Sequence, residues 1–429
     1  MHMPSAAADG AIVNPAEAAE LAWQRLQPKR WPLPPEAFPS EAALVGGAVR
    51  DALLDRLGTT PDMDLVVKGD AVALCRQLSR RHGGSSVVLD AERSMARLVI
   101  DGWSIDLARR DGDSLEADLH RRDYTINAMA LPLADRQQLV DPLGGLTHLQ
   151  SQQLVAVAEA NLLDDPLRLL RGLRLAGQLG FALEPGTERW IQQHHTAIAG
   201  VAGERVLAEL EKLAAAPSGE HWLAVCLELG LLTPWRSSTW NREEAHRLAR
   251  CSGANAQQLG LSPTELNTML PLARLANVLD GPALQQLRSS RKLQKEVVTL
   301  RQWQQRLGGA DPAGQAEALS EDQRLQLHRE LEETLPALVV DWPVPRAQRW
   351  LERWRDNGDQ LFHPRPAIDG LSLQRELHLQ PSPALGDLLL HLMQEQAFGR
   401  LQGRSDALQI ARDWLKSSEP CSERAPRRD

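Results

Sequence analysis

The chain has 429 residues, 43% of them hydrophobic and 24% charged, which is enough apolar content for about two to four packed domains of ordinary globular composition. A formal net charge of -8, with only six lysines among 48 basic residues, restricts any nucleic-acid binding to local, arginine-built surfaces. Four scattered cysteines without a CxxC or Cys/His cluster exclude a disulfide framework and a zinc site, and the absence of a leader pattern or an 18-residue apolar run points to a cytoplasmic or organellar-matrix protein with no membrane partner.

Residues 1–40, rich in Ala and Pro, read as a helical or irregular arm. From 41 to about 145, short β-like runs alternate with helical ones. EAALVGG reads as a strand entering a glycine turn, and AVRDALLDRLG as a helix stopped at Gly58. MDLVVKG, SSVVLD, ARLVIDG and WSIDLA read as successive strands. Beyond about 146, Leu/Ala/Arg/Gln-rich runs punctuated by Gly and Pro predict helices and no strand. The layout is an α/β head followed by an all-α body, with no fixed-period repeat and a disordered end.

Five segments carry chemistry. In LVGGAVRD, residues 44–51, Gly46 and Gly47 lie between a strand and a helix, where a backbone can approach a phosphate and a helix N-terminus adds donors. Arg50 follows in the first helical turn, either reaching toward a triphosphate or simply solvated. In PDMDLVV, Asp62 and Asp64 alternate around Met63, and period-two geometry puts both carboxylates on one face. Such a pair repels itself unless a cation sits between, and its oxygen donors suit Mg²⁺ carried with substrate phosphates. Alone, this pattern is more often an ordinary turn, but the glycine turn a dozen residues earlier shifts the odds. Asp106, in the apolar strand WSIDLA, is the candidate third carboxylate for in-line phosphoryl displacement. The alternative is a strand-edge residue paired with Arg109 or Arg110.

The fourth segment, HRRDYTINAMALP, offers Arg122 to a phosphate and Asp123 to a ribose hydroxyl, or else a surface ion pair. The fifth, LLDDPLRLLRGLRLAGQLGF at 162–181, reads as a helix bracketed by Pro166 and Gly180, capped by Asp164 or Asp165 and striped with Arg168, Arg171 and Arg174. An isolated stripe of this kind is usually solvated. Asp165 and Arg168 have a sharper use. Cytosine and adenine both set an exocyclic amine beside an unprotonated ring nitrogen, so an Asp acceptor and an Arg donor match them and oppose the edges of uracil and guanine.

In this order, LVGGAVRD, DMD, RRDYTINAMA, DPLGGL and DDPLRLLRGLRLAGQLGF resemble the class II tRNA nucleotidyltransferase and bacterial poly(A) polymerase family. GERVLAELEKLAA at 203–215 is similar to its last motif. The resemblance spans residues 44 to about 215. It implies a polymerase-β-like nucleotidyltransferase head at 41–145, a helical neck at 146–215 and an RNA-binding body and tail at 216–416, ahead of the tail at 417–429 that composition reads as disordered. It also implies tRNA, CTP and ATP as partners, Mg²⁺ as cofactor, and addition of C and/or A to the tRNA 3′ end with release of pyrophosphate.

By motif position, the resemblance gives Gly46, Gly47 and Arg50 to the incoming nucleotide, Asp62 and Asp64 to metal, and Asp106 to the third carboxylate. Arg122 and Asp123 would approach sugar and phosphates, Asp165 and Arg168 the base, and Arg171 and Arg174 the triphosphate. Asp141 to Gly145 would form the turn between head and neck. Asp164 stands where Glu is usual, and Leu207 where a polar residue is expected, so nothing catalytic is carried to the last motif. The link from Asp106 to Arg121 is short where many CCA-adding members have a longer loop, which raises a CC-adding specialist as an alternative. The region RRHGGSSVVLD lacks the sequence of the poly(A) branch, which argues against poly(A) polymerase, and intact Asp62, Asp64 and Arg122 argue against a non-catalytic RNA-binding protein.

In the C-terminal half, residues 236–306 hold eleven Lys/Arg against five Asp/Glu, densest in RSSRKLQK. This is a candidate phosphate-contacting surface or a solvated helix face. Trp350 and Trp354 read as core. No HxxHD pattern is present.

Overall fold

The computed structural model describes residues 14–236, 240–309 and 311–418. The expectations for the extreme N-terminus and for 419–429, including Cys421, fall outside them. Residues up to Glu209 together with Glu228–Pro234 form one compact unit, and Leu210–Leu227 with the chain from Trp235 form a second.

The first unit opens with helix α1 (Pro15–Leu26), capped by Asn14 and Glu17 in a reciprocal box. A six-stranded sheet follows: β1 (Ala43–Val45), β2 (Met63–Val67), β3 (Ser85–Asp90), β4 (Met95–Ile100), β5 (Trp103–Arg109) and β6 (Ala130–Pro132), in the spatial order β3-β4-β5-β2-β1-β6. Only β2 and β5 run parallel. Helices α2 (Gly47–Leu53) and α3 (Ala71–His82) pack on the sheet. Strand β2 is central and reads as a near-continuous apolar run for that reason. Met63, Leu65, Val66 and Val67 are all buried, and Asp64 alone interrupts them.

The five strands read in the head fall where expected. Helix α2 is shorter than expected and ends at Leu53, not Gly58. Asp55 takes the left-handed conformation (φ 57°), and the Arg56 amide reaches back to the Asp51 carbonyl at 2.9 Å. An aspartate therefore fills the position that glycine usually fills.

The link from the sheet is ordered as α4 (Leu115–Leu119), whose first turn is capped by Ser114. Beyond β6, the Asp141 carboxylate accepts from the Gly145 and Leu146 amides, at 2.7 and 2.9 Å, and starts α5 (Gly145–Gln150). Two short strands, β7 (Gln153–Leu154) and β8 (Ala182–Leu183), pair in parallel and were not foreseen in the helical region. At two residues each, they carry no periodic signal. Between them, α6 (Glu159–Asp164) and α7 (Leu167–Leu179) meet at Asp165–Pro166. Pro166 cannot extend α6, because it has no N–H to donate. Then come α8 (Pro185–Gln193) and α9 (Gly203–Ala214), the latter crossing the division between the units.

The second unit is helical throughout the described residues. It contains α10 (Gly219–Glu228), α11 (Arg242–Arg250), α12 (Gly253–Gln258), α13 (Pro263–Val278), α14 (Gly281–Gln286), α15 (Arg291–Arg306) and further helices to Ser418. Trp342, Trp350, Phe362 and His328 form one buried aromatic cluster, and the Trp354 indole donates to the Glu332 carbonyl at 2.6 Å. Trp350 is therefore core, as expected, whereas Trp354 is only half-buried. Among the described residues, no helix is long and apolar enough to cross a membrane.

Tyr124, the chain's only tyrosine, ties the head to α7. It is fully buried, and its hydroxyl donates to the Arg168 carbonyl at 2.7 Å. The ring lies on Gly172, where an added Cβ would sit 2.1 Å from the Tyr124 oxygen. The expected effect of Gly172→Ala is a loss of about 1–3 kcal/mol from overpacking, seen as a lower thermal midpoint. An unchanged midpoint would refute the contact.

Candidate active site

Strand register places the key charges in one row across the sheet. Val45 on β1 faces Asp64 on β2, Asp64 faces Asp106 on β5, and Asp106 faces Arg97 on β4. Asp62 lies one residue before β2 and is exposed. Gly46 turns the chain between β1 and α2 with φ 73°, a conformation that favours glycine. A Cβ there would lie 3.2 Å from an Asp64 carboxylate oxygen and 3.5 Å from the Arg122 guanidinium. The glycine turn, Asp64 and Arg122 are therefore one cluster. Gly47 opens the helix, and Arg50 in its first turn is held by Asp51 and by the Asn127 side chain at 2.7 Å.

The Asp64 carboxyl is pushed up to about 6 by burial, by the like charge of Asp106 and, more weakly, by Asp62, against the pull of Arg122 and Arg97. Asp106 does not pair with Arg109 or Arg110. Both of its oxygens accept from Arg97, at 2.7 and 2.8 Å, and β5 is an interior strand of the sheet. The alternative of a strand-edge residue fails because the Asp101–Gly102 hairpin brings β4 alongside. Both turn residues have positive φ (48° and 79°), and a two-residue turn there pairs 97 with 106. Among the described residues, no three His, Cys, Asp or Glu side chains converge as a ready metal-binding set.

The RRD segment joins this row to α7. Arg122 donates to Asp118 at 2.9 Å, one helical turn back, and Asp118 in turn accepts from the Asp111 amide at 2.8 Å. Asp123 is buried, accepting from the Tyr124 amide and from Asn127, with Arg171 at 3.3 Å. Burial pushes its carboxyl up, but Arg171 and these hydrogen bonds outweigh burial and hold it below the usual range. Asp123 thus faces Arg171 on α7.

Arg168 donates to the Arg121 and Asn161 carbonyls, at 3.1 and 2.8 Å. Asp165 accepts from the Leu167 amide at 3.3 Å and from Arg205 at 2.8 Å, and Arg174 is held by Glu209 and Gln178, each at 2.5 Å. Arg205 and Glu209 belong to α9. The last motif therefore acts here by fixing Asp165 and Arg174, a part the sequence reading did not give it. Asp164, Asp165 and Arg168 line a cavity of about 430 Å³ with Arg109, Arg110 and Arg121. Its connector is pinned, with Asp111 paired to Arg121 at 2.8 Å. Asp62, Asp64 and Asp106 do not line it.

The chain matches family models described as the poly A polymerase head domain, over residues 104–155, and the probable RNA and SrmB-binding site of polymerase A, over 180–236. It is 34% identical to a CC-adding tRNA nucleotidyltransferase of Synechocystis sp., over 89% of this chain and 95% of that protein. The chain belongs to the tRNA nucleotidyltransferase family. As a member of this family it is a nucleotidyltransferase enzyme. An A-adding tRNA nucleotidyltransferase of Deinococcus radiodurans is 41% identical, but over only 48% of this chain and 46% of that enzyme. The fold is similar to that of the Thermotoga maritima CCA-adding enzyme complexed with tRNA (TM-score 0.69, 20% identity, 93% of this chain and 98% of that one).

The elevated Asp64 carboxyl has a consequence for stability. Its folded value near 6 lies above the usual 3.8, so the folded form loses stability as pH rises from about 4 to about 6. At neutral pH the burial of this charge costs on the order of 2 kcal/mol, after allowance for partial solvent screening. Asp64→Asn should therefore raise the thermal midpoint at pH 7.5 and erase that difference at pH 4. A lower midpoint at pH 7.5 would contradict the electrostatic reading.

Proposed function

We propose that the protein adds two cytidylates to the 3′ end of tRNA from CTP, leaving the terminal A to another activity. The likeness to a CC-adding enzyme across nearly the whole chain carries this reading. The short connector between Asp106 and Arg121, ordered as α4 by the Ser114 cap and by Asp118, supports it. Addition of the complete CCA is the second reading, favoured by the fold shared with a CCA-adding enzyme.

In this mechanism the tRNA 3′ hydroxyl attacks the α-phosphate of the nucleotide in line, and pyrophosphate leaves. Gly46, Gly47 and Arg50 receive the phosphates at the start of α2. Arg122, beside Asp64, adds positive charge, and Arg171 and Arg174 extend it along α7. Asp123 acts by orienting Arg171. Asp62 and Asp64 would hold Mg²⁺. Oxygen-only donors with one carboxyl raised by burial and by Asp106 fit a hard cation, which would neutralise the charge developing on the phosphoryl group. Asp106 aligns the hydroxyl, held in place by Arg97. Asp165 accepts from the exocyclic amine of the base and Arg168 donates to its ring nitrogen, with Arg205 fixing the Asp165 carboxylate.

In the second unit, Arg236, Arg247, Arg274 and Arg301 are spent on internal carboxylates and carbonyls. Arg288, Arg291, Lys292 and Lys295, just before and at the start of α15, are exposed and are the candidate phosphate contact for tRNA. Such a protein acts in the cytoplasm.

With tRNA lacking CCA, and CTP plus ATP, extension should stop after two residues. Addition of the third would favour the complete CCA reading, and no incorporation would remove the enzyme reading. Asp165→Ala should raise UTP and GTP misincorporation at least tenfold with Mg²⁺ dependence unchanged, and unaltered nucleotide choice would count against base reading by this pair.

A further inference from the structure

The row of charges across the sheet runs one strand further than the carboxylates. Asp106 on β5 faces Arg97 on β4, and Arg97 faces Val87 on β3. Partners across a sheet share a face, and so do residues two apart on one strand. Val87 and Val99 therefore flank Arg97 on the face that carries Asp64 and Asp106. The two valines are diagonal neighbours, about 7–8 Å apart. Both are exposed, Val87 at 49% and Val99 at 38%. β3 is the edge of the sheet, which accounts for Val87 and for the exposed Val88 on the opposite face. It does not account for Val99, because β4 is paired on both sides. The alternate residues of β4, Ala96, Leu98 and Ile100, are buried on the other face. The face with Arg97 and Val99 is open, and its valines adjoin the carboxylate row.

The direction of the reaction says what covers this patch. In-line displacement puts the attacking and leaving oxygens on opposite sides of the phosphorus. With the nucleotide phosphates at the Gly46–Gly47 turn, the β1 end of the row, pyrophosphate leaves toward β1. The attacking hydroxyl then arrives from the β4–β3 end. Val99 is diagonal to Asp106, about 7–8 Å away, and Val87 is two strands off, about 10 Å. A nucleoside whose 3′ hydroxyl lies at Asp106 spans that distance. Arg97 supplies the charge for its phosphate. Its Nε and Nη2 donate to Asp106, its Nη1 bonds to nothing among the described residues, and its side chain is 44% exposed.

We propose that Val87, Val99 and Arg97 seat the last nucleotide of the tRNA, with ribose and base against the valines and phosphate on Arg97 Nη1, so that its 3′ hydroxyl is presented to Asp106. The inference rests on the nucleotidyl transfer to tRNA proposed above and names the side of the site that the RNA occupies.

The binding test uses the full chain without nucleotide, so it stands whichever residues are then added. Two RNAs are compared, tRNA lacking CCA and the same tRNA shorter by its last nucleotide. The wild-type protein should bind the longer one about fivefold more tightly. Val87→Ser/Val99→Ser should bind both equally, with an unchanged thermal midpoint, and Val87→Ile/Val99→Ile should keep the wild-type preference. If the serine variant does not fold, Val87→Thr/Val99→Thr, which keeps the branched shape and the strand preference, takes its place. In extension assays the serine variant should raise KM for tRNA about fivefold and leave KM for CTP unchanged. A neutral methylphosphonate at the last linkage should weaken binding by the wild type and not by Arg97→Gln, and equal weakening of both would overturn the phosphate contact. Equal wild-type affinity for the two RNAs, or a preference that survives in the serine variant, would overturn the seat. So would a wild-type dimer that the serine substitutions convert to a monomer with the RNA preference intact, because the patch would then be the seam between two copies.

Discussion

Two carboxylates abreast on neighbouring parallel strands, Asp64 and Asp106, set the terms for everything around them. Like charges at adjacent register positions in a sheet are unfavourable, and partial burial makes them more so. The surrounding structure meets this in two ways. Arg97, from the next strand, takes both oxygens of Asp106, and Arg122 approaches Asp64 from the segment after α4. What is left is a raised carboxyl on Asp64, with the exposed Asp62 beside it. Such a group is costly to the folded chain and useful to a site that must attract a cation.

The same arginine segment carries the effect outward. Arg122 is held by Asp118, Asp123 by Tyr124 and Asn127, and Arg168 by the Arg121 carbonyl. Tyr124 bonds the Arg168 carbonyl and packs on Gly172. Carboxylate row and proposed base-reading helix are thus connected through a few direct contacts of residues 118–127. Helix α9 closes the arrangement by holding Asp165 and Arg174. Preorganisation of this kind is what template-free choice between bases requires, since no second strand corrects the geometry.

Much of this was legible in the sequence. The strand pattern, the glycine turn, the paired Asp62 and Asp64, and the arginine stripe on α7 all follow from period and residue type. What was not legible was pairing. Arg97 sits in an unremarkable strand, and only the register set by the Asp101–Gly102 turn points it at Asp106. That turn could have been used, because a two-residue turn fixes its partners by arithmetic. Arg205 and Glu209 could not have been assigned, since their partners are 40 and 35 residues away, across the turns between α7 and α9 that periodicity does not encode. The early end of α2 was missed because an aspartate took the glycine-like position. In the second unit, a count of basic residues overstated the free positive charge, since four arginines are bound internally.

The central claim is that Asp64 is a strained, cation-seeking carboxyl. The most direct measurement follows the ¹³C shift of the Asp64 side-chain carboxyl against pH, with and without Mg²⁺. A midpoint near 6 without the ion, falling below the ordinary aspartate value once Mg²⁺ is added, is the expected result. A midpoint near 4 in both titrations, or one near 6 that Mg²⁺ does not move, would contradict it.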